Sequence, residues 1–405
     1  MLRNLLLLLF FTSTAFGQAT FSISGTIKDK TGVVVGASVY LSGYKISTAS
    51  NGDGKFILSN LKPGNYDVLV QMIGYQPFSK NVLITDKSAV VELKLIESTT
   101  QLNEVVIKPN PDREWLINLF KEFFIGKTPN AAHCKILNTN ILDIDHDKRS
   151  QIFTVKASDF LIIENQILGY RIKYLLESFE YNFNTKILFY AGYPVFEEMN
   201  GSSAKQKRWA KNRDIAYKGS SQHFYTSLYQ NKVSEEGFVI YKRYEIPNKD
   251  RLPDSLIETN IKQLMTGKAI NNLPIDNKNG NSINYWIKER RKPKTLHFID
   301  RGTIYTDTLV KTFNVNFKKI NYKDDLFVIY KNEIEDSAYE STSYYQSRPK
   351  DLIGFQVSVI KMLRAPIYFY QNGVIYNPHS TLYSGYWSYE KMADIVPMDY
   401  VIGSK

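Results

Sequence analysis

Four groups of residues have types and spacing that could do chemistry. Asp143, Asp145 and Asp147 alternate along a candidate strand-turn, so three carboxylates could face one way towards a calcium ion. The loop that such a site needs would have Gly at 148 and Glu at 154, where Lys148 and Thr154 stand, so a solvated hairpin tip is the expected role. Gly126-Lys127-Thr128 has the end of a phosphate-binding loop without its beginning, because Lys121 occupies the position of the first glycine. His133 and Cys134 are neighbours, and neighbours on a strand point to opposite faces, so they cannot pair as a nucleophile and its base. The fourth group is the most informative. On a helix Trp209, Asn212, Arg213 and Ala216 share one face, with Lys207 and Lys211 on the other side, while Gly219 would end the helix and Ser220 cap the next. Arg213 facing inward with Tyr217 and His223 nearby makes a candidate anion- or partner-binding site; the competing expectation pairs Arg213 with a core carboxylate.

No Gly-x-Ser-x-Gly elbow or His-Glu-x-x-His motif occurs, and the five histidines are scattered. No catalytic residue, metal ligand or cofactor is therefore assigned.

The elements that must position these groups divide the chain. Arg3, the apolar run over residues 5–11, and Ala15 and Gly17 at the −3 and −1 sites form a secretory signal over residues 1–17. The run is too short for a membrane span of about 20 residues, and no cysteine follows it for a lipid anchor, so no transmembrane helix is expected. A single cysteine among 405 residues excludes an intrachain disulfide. The formal net charge of +11, or +10 once Arg3 leaves with the signal, favours acidic partners, and peripheral contact with a membrane surface is compatible with it. Export argues against nucleic acid as that partner.

Residues 18–97 read as a β-sandwich. Short apolar runs at Phe21, Val39, Tyr66, Val82 and Val90 are separated by turn signals, above all Asn51-Gly52-Asp53-Gly54, read as a hairpin, and Pro63-Gly64-Asn65. Residues 98–111 form a linker. In residues 112–405 an aromatic stripe (Trp115, Leu116, Leu119, Phe120, Phe123, Phe124) has helical spacing, and further helices are expected at about 202–217, 220–230 and 254–265. Strands are expected over 136–144 and 151–157 as a hairpin, through Phe313, Val315 and Phe317, and over 326–330; residues 271–284 are Asn-rich and read as an irregular loop. The fold class is thus an N-terminal all-β immunoglobulin- or transthyretin-like sandwich, then an α+β, strand-rich module with an antiparallel sheet and a few helices. An outer-membrane barrel is not expected, because helices interrupt the strand series and the terminal residues are not aromatic.

Gly25, Gly36-Ala37, Val39, Thr48, Gly52, Gly54, Phe56, Leu61, Pro63-Gly64, Tyr66 and Gly74-Tyr75 resemble the carboxypeptidase-regulatory-like domain, a non-catalytic transthyretin-like sandwich. In Bacteroidota this domain often precedes the plug of TonB-dependent outer-membrane receptors, and residues 102–107 resemble the strand that follows it there. The 297 residues after Lys108 leave no room for plug and barrel together. Lys207-Arg208-Trp209, Asn212-Arg213, Tyr217, Gly219-Ser220, His223-Phe224 and Glu236-Gly237-Phe238, with Gly385-Tyr386-Trp387, Asp394 and residues 397–400, resemble a Bacteroidota family that joins such a sandwich to a second module of unassigned activity. The resemblance implies a periplasmic protein at the inner face of the outer membrane, with an outer-membrane protein or complex as partner. The leading expectation is a non-enzymatic interaction or accessory protein. A hydrolase of peptides or glycans using Asp143 and Asp145, and a carbohydrate-binding protein, are the alternatives.

Overall fold

The computed structural model describes residues 20–98, 112–266, 282–314, 316–345 and 348–403. The signal sequence, residues 99–111 of the linker with the segment 102–107, most of 271–284, and Val315 lie outside the described residues.

The N-terminal body is two facing sheets. Strands β1 (Phe21–Lys28), β4 (Lys55–Leu61) and β7 (Ala89–Lys94) form one, in the order β4-β1-β7. Strands β2 (Ser38–Leu41), β3 (Ser47–Ala49), β5 (Gly64–Gln71) and β6 (Phe78–Ile84) form the other, in the order β3-β2-β5-β6. Alternation sends Ile23, Ile27, Val39, Leu41, Phe56, Val68, Val70 and Leu93 into a shared core. The turn at residues 51–54 forms as its composition demands, with Gly54 at φ +69° and Gly54 N bonded to Asn51 O at 2.9 Å. It is not a hairpin: β3 pairs with β2 and β4 with β1, so the turn carries the chain from one sheet to the other.

The second module opens with α1 (Arg113–Phe124), ended by Gly126 at φ +106°. It packs Leu116, Phe120 and Phe124 on a six-stranded antiparallel sheet of β8 (Cys134–Ile136), β9 (Leu142–Asp147), β10 (Ile152–Ala157), β11 (Leu161–Asn165), β12 (Tyr170–Asn182) and β13 (Ile187–Glu198). The long β12 pairs β13 along one side, and β11 then β10 along the other. The expected hairpin is β9 with β10. Ile136 is not part of it: a 3-10 turn at Thr139–Ile141 breaks the run, and β8 pairs with β11 instead.

Helices α2 (Ser203–Tyr217) and α3 (Ser221–Gln230) follow, each capped by the serine before it: Ser202 Oγ accepts from Lys205 N, and Ser220 Oγ from His223 N. A second antiparallel sheet has the order β15-β14-β18-β19-β21, from β14 (Phe238–Pro247), β15 (Thr295–Asp300), β18 (Asp325–Ile334), β19 (Phe355–Met362) and β21 (Thr381–Gly385). Helix α3 buries Phe224, Tyr225 and Leu228 on one face of it. Helices α4 (Asp254–Met265) and α5 (Ile283–Arg291) pair around Ile257, Ile261 and Trp286. A short α6 (Thr306–Leu309) leads to a three-stranded sheet of β16 (Val310–Thr312), β17 (Lys318–Ile320) and β20 (Ile367–Phe369). The alternation of Phe313 and Phe317 marks the turn between β16 and β17 rather than a strand: Asn314 Oδ1 accepts from the backbone of Asn316 and Phe317, at 2.9 Å each. The final α7 (Tyr386–Tyr389) follows β21 directly.

The sandwich leans on the six-stranded sheet. Tyr40 and Leu69 face each other in the register of β2 and β5, turned away from the sandwich core, and pack on Phe160 and Val195. That sheet is therefore covered on both faces, by α1 and residues 392–396 on one and by the sandwich on the other.

A cleft where three bodies meet

Residues 386–400 join the bodies. Trp387 is anchored through backbone and side chain: its backbone N–H donates to Ser358 Oγ of β19 at 3.1 Å, and its indole Nε1–H to Gly219 O between α2 and α3 at 2.6 Å. Gly219 has φ +73°, and a side chain there would run into Tyr330 and Gln356, so the glycine lets the indole reach the backbone. Asp394 is buried and accepts from Thr128 Oγ1 at 3.0 Å, Asn130 Nδ2 at 2.9 Å and Lys391 N at 3.2 Å. Asn165 of β11 donates to Ala393 O at 2.8 Å. Further along, Met398 N donates to Gly43 O of the sandwich at 2.7 Å. Gly43, at φ +80°, lies against the Met398 side chain with no room for a β-carbon.

Between these contacts lies a cleft of about 440 Å³. Its walls come from Gly43 of the sandwich, Leu188 to Tyr190 of β13, Gln222 and Tyr225 of α3, Leu382 and Tyr383 of β21, and the segment from Trp387 to Met398. The lining is mainly aromatic and aliphatic. His379, beyond β20, stacks on Phe189 at 3.8 Å between ring centres. Tyr383 and Tyr225 meet hydroxyl to hydroxyl at 3.4 Å, and burial pushes the Tyr383 phenol up to about 12.

Two charged side chains line this surface. Glu390, half-buried, has no hydrogen-bond or ion-pair partner among the described residues. Burial, with Asp394 and Glu333 adding repulsion, lifts its carboxyl well above the usual carboxylate range. Lys391 holds its ammonium 5.4 Å over the Tyr344 ring, and burial lowers its pKa to about 8 against the opposing pull of Asp394. Asp394 is raised to about 6, burial outweighing its three hydrogen bonds, and Glu333 to about 7 by burial. A carboxyl like Glu390 gains most from a ligand that brings a cation or a hydrogen-bond donor to it.

The N-terminal wall is a two-sheet sandwich with Tyr66, after the Pro63-Gly64 turn, donating from its hydroxyl to Lys62 O at 2.8 Å. Residues 23–107 match the CarboxypepD_reg-like domain. The match takes in the whole sandwich core from Ile23 and runs through residues 102–107. No curated protein matches the chain. Among solved structures, a cohesin–X-dockerin complex from Acetivibrio cellulolyticus is 18% identical over 19% of this chain and 58% of that one, with a TM-score of 0.18. Hydroxyquinol 1,2-dioxygenase from Pseudomonas putida DLL-E4 is 12% identical over 19% and 56%, at 0.17. A putative carbohydrate binding protein from Bacteroides uniformis ATCC 8492 is 12% identical over 36% and 52%, also at 0.17. The chain thus spans little more than half the length of each of these structures.

The CarboxypepD_reg-like domain contributes Gly43 to the cleft, whereas Arg213, Tyr217 and His223 do not line it; of their helices, Gln222 and Tyr225 do. Arg213 is buried and stacked 3.9 Å over the Tyr170 ring; Nε donates to Leu168 O at 2.7 Å, Nη2 to Gly169 O at 3.3 Å, and Nη1 approaches Glu198 Oε1 at 3.4 Å. Tyr217, one turn on, is in ring contact with His223 at 5.0 Å and with Tyr400 at 5.6 Å. His223 Nδ1 accepts from Gly219 N at 3.2 Å, so in the neutral ring Nε2 carries the proton and donates to Glu236 at 3.1 Å. Burial lowers the His223 pKa although Glu236 opposes it. The structure thus brings Tyr217 and His223 into contact and leaves Arg213 one turn back on Tyr170, with the polar atoms named above engaged by the protein itself.

Asp143 and Asp145 are exposed on β9, and exposed Asp147 accepts from Arg149 N at 2.8 Å and Ser150 Oγ at 2.7 Å; none of them lines the cleft. Among the described residues no group of three His, Cys, Asp or Glu side chains is placed to hold a metal. His133 is exposed while Cys134 is half-buried, and burial pushes its thiol up to about 12. Sequence reasoning missed Glu390 and Lys391. The resemblance at residues 385–387 and 394 flanked them, which was the available signal.

Proposed function

We propose that this chain is an exported, non-enzymatic binding protein. It serves an outer-membrane transport or assembly complex from the periplasmic side, and takes a segment of its partner into the cleft at the three-body junction. The observation that carries this reading is Glu390, a carboxyl without a partner among the described residues in a mainly aromatic and aliphatic cleft. Such a site rewards an apolar segment that also brings a cation or donor. Arg213, Tyr217 and His223 support the reading from behind, fixing the α2–α3 corner from which Gln222 and Tyr225 reach the cleft. The CarboxypepD_reg-like domain, as a non-catalytic module, fits an interaction role. The hydrolase reading loses its acids, since Asp143 and Asp145 stand on an exposed strand. Among the described residues no helix is long and apolar enough to cross a membrane, so a membrane partner would supply its own span.

The test is photo-crosslinking in intact cells, with the crosslinker at Leu382 on the cleft wall. A discrete adduct with an outer-membrane protein, lost when Glu390 is replaced by Ala, is the expected result. Recovery of the free chain alone from correctly exported protein would refute the proposal.

A further inference from the structure

The outward face of α2 carries cations that no carboxylate among the described residues neutralises. At 100° per residue, Lys207, Arg208 and Lys211 fall with Ala204 and Ile215 within about 100° of arc, opposite the buried Trp209, Arg213 and Ala216. All five are exposed, as is Lys205 beside them. Among the described residues none of these cations is paired with a carboxylate. The one acid of the helix, Asp214, is taken by Tyr400 Oη at 2.6 Å and Gly403 N at 3.0 Å. Those two bonds lay the segment between them along the end of α2. They leave Val401 66% and Ile402 40% exposed in the segment held to Asp214, the neighbour of Ile215, itself 52% exposed.

We propose that this face, unpaired cations together with the exposed aliphatic side chains of α2 and of the segment bonded to its end, docks the protein on an anionic phospholipid surface. This is independent of the cleft. Lysine is depleted at protein–protein interfaces, where aromatic anchors dominate, and this face is lysine-rich and aliphatic. On a lipid surface the same residues suit both layers: flexible stems carry charge to the headgroups while Ile215, Val401 and Ile402 enter the acyl boundary.

Flotation of the mature full chain with vesicles decides it. Vesicles of phosphatidylcholine with about 30% phosphatidylglycerol should carry the protein up at about 0.1 M salt, pure phosphatidylcholine should not, and about 0.5 M salt should release it. Replacing Lys207, Arg208 and Lys211 together by Glu should weaken partition at least about a hundredfold, at about fivefold per cation. Ile215→Ser with Ile402→Ser should weaken it several-fold and keep the salt dependence. Lys288→Glu with Arg291→Glu on α5, equally exposed, should change nothing. Thermal midpoints confirm that each variant is folded; should the charge reversal fail that check, the serine pair and the salt titration still decide. The proposal is overturned if wild type does not float with anionic vesicles, if the α5 variant loses as much as the α2 variant, or if the face retains polyglutamate while ignoring vesicles.

Discussion

Asp394→Asn isolates the electrostatics of the segment that joins the three bodies. Asp394 is raised from 3.8 to about 6 in the folded chain. Between those values the native state keeps a proton that the unfolded state has released. The stability tied to this group is therefore fully present below pH 3.8 and is lost as pH rises through 6. The difference between 3.8 and about 6 corresponds to about 3 kcal/mol. Asparagine matches the protonated carboxyl in shape and charge, so the variant should lie within about 1 kcal/mol of wild type at pH 4. By pH 7.5 it should be the more stable by about 2–3 kcal/mol, because it escapes the burial of a charge. Urea unfolding of both proteins at several pH values between 4 and 7.5 gives the difference, and carboxyl NMR gives the Asp394 titration directly. A difference that stays constant, or turns against the variant as pH rises, would show that Thr128, Asn130 and the Lys391 amide hold the anion more strongly than burial disfavours it. Asp394→Ala, which leaves those three donors unmatched, should be less stable than Asp394→Asn at every pH.

Three further outcomes follow from the packing. Arg213→Ala should destabilise by about 2–3 kcal/mol, because the Leu168 carbonyl loses its donor and the Tyr170 ring its stacked cation, while Gly169 O and Glu198 keep only Met199 N and Lys45; Arg213→Lys should not restore it, since one ammonium cannot span both carbonyls while stacking on Tyr170. Calorimetric midpoints check this. Gly43→Ala forces a β-carbon into Met398 at a positive φ, so hydrogen exchange should accelerate around residues 41–45 and 396–400 while the sandwich core stays protected. Cys134, with its thiol near 12, should resist iodoacetamide at pH 7.5 in the native state and react on unfolding, as mass spectrometry would show.

Local chemistry was legible where a residue states its own role. Ser202 and Ser220 mark the starts of α2 and α3, Gly219 their junction, and the inward face of Trp209, Arg213 and Ala216 is buried as its spacing requires. Residues 51–54 announced a turn, but whether a turn closes a hairpin or changes sheets depends on pairings made elsewhere. Helix α5 was missed because Lys288, Glu289, Arg290 and Arg291 hide a periodicity that rests on Trp286. Sequence left Arg213 open between an anion or partner ligand and a pairing with a core carboxylate; Glu198 is within reach of it, but the carbonyls of Leu168 and Gly169 that it also bonds leave no trace in a pattern of side chains. The cleft was illegible for the same reason at larger scale: Gly43, Phe189, Gln222 and Glu390 belong to four distant stretches, and a glutamate in a cleft is spelled like one on the surface.

The bond between Asp394 and Thr128 closes a loop of 266 residues. Loop-closure entropy grows only slowly with length, yet a contact this remote in sequence gains little until the intervening sheets exist. The seam is therefore the last part of the molecule to zip. Its Met392, Ala393 and Val396 sit in the core of the six-stranded sheet and its Trp387 in that of the second sheet, so it docks only on sheets already formed. The cleft, one wall of which runs from Trp387 to Met398, is then complete only when this last step is, so its shape is a report that folding has finished.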